Sequence, residues 1–195
     1  MALVQLAVSE PATPTADAYA ELRGLHEARV AAEVLAADAR CPGSDVIGTT
    51  GDIAARVIVV KGLPGPAEAA GGHALSGADG EAVHKALSSL GWRSEDVFCT
   101  LSRASAGCDA ESVARRLRAV IEAVDPELVI LLDGEAVSDF SAGYGVEPPA
   151  WGVEVRVHGR RVVAVDGLER SLGDDGAKRR VWNQLRSACP PSSVY

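Results

Sequence analysis

The run Glu127-Leu-Val-Ile-Leu-Leu132, closed by Asp133-Gly134, decides the architecture. After its first residue it is continuously apolar and does not alternate, which is the pattern of a strand covered on both faces in a parallel sheet. Just upstream, Val113, Leu117, Val120, Ile121 and Val124 keep helical spacing over Ala110 to Val124, and Asp125-Pro126 ends that helix. Downstream, Asp133-Gly134 reads as a turn and Glu135 to Phe140 as a short helix. A buried strand between two helices is the repeating unit of an α/β layered domain.

The rest of the chain extends the same alternation. Arg56-Val-Ile-Val-Val60 is a β-branched run that leads into the Gly/Pro-rich stretch Gly62-Leu-Pro-Gly-Pro66, a second buried strand ending in a loop. A helix is expected over about Asp79 to Leu90, stopped by Gly91, followed by a strand over Asp96 to Leu101. Gly143 to Trp151 reads as a loop, with Trp151 either an exposed contact or, by the preference of Trp for the interior, packed against the core, the favoured reading. Val153 to Val157 and Arg161 to Val165 alternate around His158-Gly159 as a hairpin, and Asp174 to Ala188 forms the last helix. Near the start, Asp17 to Ala39 forms a helix with Leu22, Leu25, Ala32 and Leu35 on one face. The reading is a three-layer α/β sandwich with a largely parallel central sheet. It forms a single domain over 1–195, with an irregular segment over 1–15. In such folds ligands sit at the C-terminal ends of strands, so the loops after Val60, Leu101, Leu132 and Val165 are where function is expected.

Composition narrows the classes. The 195 residues carry 19 Lys+Arg and 27 Asp+Glu, a net charge of −8, with 47% hydrophobic residues. A core of this size needs no disulfide or metal to fold. The acidic balance opposes a phosphate-binding stripe, and the basic stretches around Arg115, Arg156 and Lys178 read as solvated faces. No apolar run reaches the length of a membrane span, and Met1 to Val8 lacks the basic flank of a signal peptide, so no membrane association and a cytoplasmic location are expected. Cys41, Cys99, Cys108 and Cys189 form no C-x-x-C pair, which argues against zinc and for small buried hydrophobes. His84 and His158 have no partner pattern and read as structural or surface residues.

Several segments, taken in order, resemble a known family. They are Arg40-Cys-Pro42, Val57-Ile-Val-Val-Lys-Gly-Leu-Pro-Gly65, Gly71-Gly-His-Ala-Leu-Ser-Gly-Ala-Asp-Gly80 and Leu90-Gly-Trp-Arg-Ser-Glu-Asp-Val-Phe-Cys-Thr100. Cys108, Asp125-Pro-Glu-Leu-Val-Ile-Leu-Leu-Asp-Gly-Glu-Ala136 and Lys178-Arg-Arg-Val-Trp-Asn-Gln-Leu185 continue the series. Their order and spacing are similar to the uracil-DNA glycosylase superfamily, especially its iron-sulfur branch. The resemblance implies an enzyme fold that flips a base out of DNA, holds it in a pocket and cleaves it from the sugar with water. By family position the pocket would be built from Gly62, Pro64, Gly65, Leu75 and Leu101.

The residues at those positions depart from the family pattern. The first-loop acid falls on Gly62, after Lys61 in place of a glycine; the stacking Phe falls on Leu75 and the base-reading Asn on Leu101. The His-Pro-Ser loop falls on Asp166-Gly167-Leu168. Cys41 and Cys108 match two of the four cluster ligands, while Asp38 and Ser105 or a neighbour stand at the others, so no cluster and no other cofactor is expected. The leading expectation is a non-catalytic binding or interaction module with an unidentified DNA or protein partner. The alternative is an active DNA glycosylase or other N-glycosidic hydrolase with a rearranged site, whose candidate catalytic groups are Lys61, His73 and Asp166, with Glu68 and Asp79 nearby. A third reading is a small-ligand protein in which Gly62-Leu-Pro-Gly65 holds an anion, a weak signal without a phosphate-loop lysine motif.

Overall fold

The computed structural model describes residues 15–41, 46–168 and 172–188. The alternation of elements expected from sequence is present. Helix α1 spans Ala16–Asp38, then come strand β1 (Thr50–Gly51), β2 (Val57–Lys61), the single turn α2 (Pro66–Ala69) and α3 (Ala78–Ser89). Strand β3 (Val97–Leu101), α4 (Ala110–Val124), β4 (Leu128–Leu131) and α5 (Gly134–Tyr144) follow. The hairpin β5 (Glu154–Val157) and β6 (Arg160–Ala164) precedes α6 (Asp175–Ala188).

The sheet runs in the order β1-β3-β2-β4-β6-β5. β3, β2, β4 and β6 are mutually parallel, and the edge strands β1 and β5 pair antiparallel. Parity along each central strand builds the layers. Ile58, Val60, Val129, Leu131, Val162 and Ala164 face α1, α4 and α5, whereas Val57, Val59, Leu128, Ile130 and Val163 face α3 and α6. Every residue of β2, β3 and β4 is buried, as expected of strands sandwiched between helices.

Local chemistry sets the boundaries. The Asp109 carboxylate caps α4 by accepting from Ser112 N, and the helix ends at Asp125 in the left-handed region (φ 51°) before Pro126. The β5–β6 turn places both His158 (φ 49°) and Gly159 (φ 85°) at positive φ, the geometry of a two-residue hairpin turn.

Three expectations change. α1 forms where expected, but Leu22, Leu25, Ala32 and Leu35 are exposed; the helix docks on α4 through Val30, Val34 and Ala37 instead. α5 runs on to Tyr144, because Phe140, Ser141 and Tyr144 are buried and extend its packed face past the expected end. Trp151 is 43% exposed rather than in the core. The segment 1–15 lies outside the described residues except for Thr15, whose side chain caps α1, and Cys189 also lies outside. No helix among the described residues is long and apolar enough to cross a membrane.

Candidate functional site

From β2 the chain crosses over α3 to β3 on one side, then over α4 to β4 on the other side of β2. That reversal opens a crevice at the C-terminal ends of β2 and β4. Two residues stand at its lip, Lys61 at the end of β2 and Asp133 just after β4.

Lys61 follows the parity of Val57 and Val59, so its side chain lies on the α3 side of the sheet. It is 4% exposed, and its Nζ donates to Asp79 Oδ2 at 2.6 Å and lies 3.5 Å from both oxygens of Glu68. Glu68 is itself buried and accepts from the backbone N–H of Gly65 (3.0 Å) and of Leu75 (2.9 Å). Two carboxylates and two N–H donors thus tie the ends of the loop 62–75 to β2. Asp79 does not cap α3: the cap is Gly77, and Asp79 lies in the first turn facing Lys61. Lys61 and Glu68, which sequence alone suggests as solvated loop charges, and Asp79, which it suggests as a helix cap, are in fact one buried ionic group.

Asp133 occupies the other side of the lip. Its Oδ2 accepts from Gly62 N and its Oδ1 from Ala136 N, both at 2.8 Å, so one carboxylate caps α5 and grips the β2 loop. The space beside Gly62 is consequently full. A Cβ there would collide with Asp133 Oδ1 and Glu135 Cβ and sit 3.0 Å from Ala136 N. Burial, with the nearby Glu135 charge, pushes the Asp133 carboxyl above its ordinary range, against the lowering pull of the two N–H donors and Lys61.

These groups open onto a cavity of about 800 Å³. Lys61, Pro64, Gly65, Asp79 and Asp166, five of the residues singled out from sequence, lie on its wall together with Asp133, Glu135 and Trp151. Trp151 is positioned by a parallel bridge to Ala164 at the end of β6, and Asp166 by its N–H, which donates to Gln184 Oε1 of α6. The loops after β2, β4 and β6 therefore converge as the strand-end rule predicts. His73 does not join them: it is exposed and lies against Gly48. Leu75 and Leu101, pocket residues by family position, are not on this wall. Leu75 is buried with Val83 and Leu87 of α3, and Leu101 is fully buried with Ala74 and Ala104.

Sequence reasoning missed Asp133 and Trp151 as site residues. The first was legible as an acid at the C-terminal end of the central buried strand. The second was masked by the ordinary preference of Trp for the interior.

The loop after β3 faces a second, smaller cavity of about 490 Å³, lined by Ile47, Leu63, Arg103, Ala104 and Cys108 among others. Arg103 pairs with Asp139 of α5 through two nitrogens (3.0 and 3.1 Å), and Ser102 Oγ donates to the same carboxylate at 2.6 Å. Behind it, Cys41 and Cys108 are joined as a disulfide. This corrects the expectation of isolated buried thiols. The fold brings the end of α1 against the start of α4, so residues 67 apart in sequence are neighbours with Cα atoms 5.2 Å apart. Asp38, at the position of a third cluster ligand, accepts from the fully buried Arg116 guanidinium (Nε 2.8 Å), and Ser105 Oγ accepts from Gly107 N. This donor set does not fit an iron-sulfur cluster: two sulfurs are spent on each other and the third position is a carboxylate already paired with a cation. The remaining described cysteine, Cys99, is buried against His84 in the middle of the sheet with its thiol pushed up to about 11 by desolvation, the mark of an inert core thiol.

A three-layer α/β domain with a doubly crossed parallel sheet and a ligand-sized cavity at its switch point is thus defined by the fold and site together. Residues 49–185 match the family model of the uracil DNA glycosylase superfamily, and the chain belongs to that superfamily. No curated protein matches it.

Proposed function

We propose that this chain is a binding member of the superfamily that does not excise uracil and that uses the cavity between β2, β4 and β6 to hold a ligand. The observation that carries this reading is the state of the base-recognition positions. Leu75 and Leu101 are apolar and buried in the core, away from the cavity wall. A site that selects a polar base by its edge loses orders of magnitude when its hydrogen-bonding group is absent. Gly62 contributes no side chain, and the space for one is filled.

The test is base excision on single- and double-stranded oligonucleotides containing uracil, read as abasic-site cleavage with protein in large excess. No cleavage is expected; cleavage that scales with protein concentration overturns the reading.

One observation favours a second reading, hydrolysis of another N-glycoside by a rearranged site: the Asp133 carboxylate lies on the cavity wall beside Gly62. On that reading, excision of some base other than uracil is expected, and it is lost in Asp133→Asn. Asp166→Asn is the companion variant, since Asp166 shares the same wall.

A further inference from the structure

The cavity wall carries an unusual balance of charge for a site in a superfamily that handles nucleic acid. Among the described residues its one cation, Lys61, is matched by Asp79 at 2.6 Å and by Glu68 behind it. The carboxylates of Asp133, Glu135 and Asp166 add to Asp79 on the same wall. Field lines in a concave, low-dielectric site concentrate, so the cavity attracts positive charge and repels phosphate.

Two further features are independent of that charge, and a third fixes one of its carboxylates. Trp151 presents an exposed indole to the cavity, its backbone fixed by the bridge to Ala164, and indole is the ring that attracts cations most strongly. Apolar faces from Leu63, Pro64 and Leu168 complete the wall, which suits a flat ligand. Asp133 is held in place from two directions by Gly62 N and Ala136 N, so its two oxygens keep their remaining lone pairs in a fixed orientation. The side-chain-free position 62 is what admits it.

We propose that the ligand of this cavity is a planar heteroaromatic cation, with its ring against Trp151 and its positive edge against Asp133. The proposal rests on the binding reading above and names its ligand class. Uracil, uncharged and with two carbonyl oxygens flanking its single edge N–H, is disfavoured by the same carboxylate. An N-alkylated base that is cationic at neutral pH and carries N–H donors satisfies both groups. The upward push that burial gives the Asp133 carboxyl agrees with this, because a cation beside it relieves the cost of the buried charge.

The experiment is calorimetric titration of the full chain at neutral pH with 3-methylcytidine and 1-methyladenosine, both cationic there, against cytidine, adenosine and uridine. At least one cation is expected to bind about tenfold or more tightly than its uncharged parent. Asp133→Asn keeps one acceptor oxygen for the cap of α5 but gives up the one that accepts from Gly62 N, so its binding is measured well below its own melting transition. It is expected to bring the cation down to the affinity of its parent, and Trp151→Leu is expected to weaken both cations. Equal affinity for cation and parent, preference for uridine, absence of binding by either cation, or indifference to both substitutions each overturns the proposal. Uracil excision in the oligonucleotide assay overturns the binding reading instead, so the two failures are told apart by which measurement gives them.

Discussion

Lys61 illustrates how one side chain at a strand end organises a site. In an α/β sheet the last residue of a buried strand still obeys the parity of its neighbours, so a lysine there cannot simply turn to water. It is 4% exposed, and the protein meets the cost by surrounding its ammonium with Asp79 and Glu68. Such an arrangement is weak grounds for high stability, but removing one member is expensive because the others are left as buried, unmatched charges. Lys61→Met is therefore expected to destabilise the fold by about 3–5 kcal/mol, read as a drop in the urea midpoint. Combining it with Asp79→Asn removes one of the stranded charges and recovers part of the loss. Equal destabilisation by the single and double variants would show that Lys61 acts through its aliphatic stem and not through its charge.

Between elements, two long-range ties hold the α1–α4 corner: the Cys41–Cys108 disulfide and the Asp38–Arg116 pair, whose guanidinium also donates to Leu101 O at 2.8 Å. Closing a loop of this length removes denatured-state entropy. Cys108→Ser is expected to cost about 2–4 kcal/mol under oxidising conditions and close to nothing in excess dithiothreitol. Guanidinium unfolding with and without reductant, for wild type and variant, measures both figures, and a variant that matches wild type in the absence of reductant contradicts the bond. This tie was partly hidden in the sequence. The cysteines are far apart in the chain and lack any local pairing motif, so their meeting follows only from how α1 packs on α4. Much else was legible: β2, β3 and β4 declare themselves as apolar runs, α4 by its helical spacing, and the hairpin by its alternation around His158-Gly159. Those signals are local, and the layer order follows from them. α1 was legible as a helix but not in its docked face, since the exposed Leu22, Leu25 and Leu35 are larger apolar side chains than the Val30, Val34 and Ala37 that contact the core. Likewise the positions of Lys61 and Asp166 at the strand ends could be anticipated from alternation alone. The pairing of Lys61 with Asp79, and of Asp133 with Gly62, could not, because each joins residues on different strands and helices.

Taken over the entire chain, charge and cavity lead to one conclusion about nucleic acid. Duplex DNA is held chiefly by cations that neutralise phosphates, and each such contact releases counterions and steepens the salt dependence. This protein carries a net charge of −8, and many of its basic side chains are already paired. Arg23 with Glu27, Arg56 with Glu127, Arg93 with Asp96, Arg103 with Asp139 and Arg160 with Asp125 are examples. At the cavity itself, Lys61 is neutralised while Asp133, Glu135 and Asp166 face inward. A duplex approaching this opening meets a repulsive field just where a base-flipping protein needs to grip the backbone. Binding to an unmodified duplex is accordingly expected to be weaker than the ~10⁻⁴–10⁻⁶ M typical of non-specific binding at physiological salt. Fluorescence anisotropy of a labelled duplex between 50 and 200 mM salt checks this. Flat, low anisotropy throughout is the expected result, because few phosphates are neutralised and few counterions are released. A steep fall in affinity with salt would mean that several cations do reach the phosphates, and would place a basic docking face on the surface away from the cavity, with the exposed arginines of α6 the first to be replaced by glutamine.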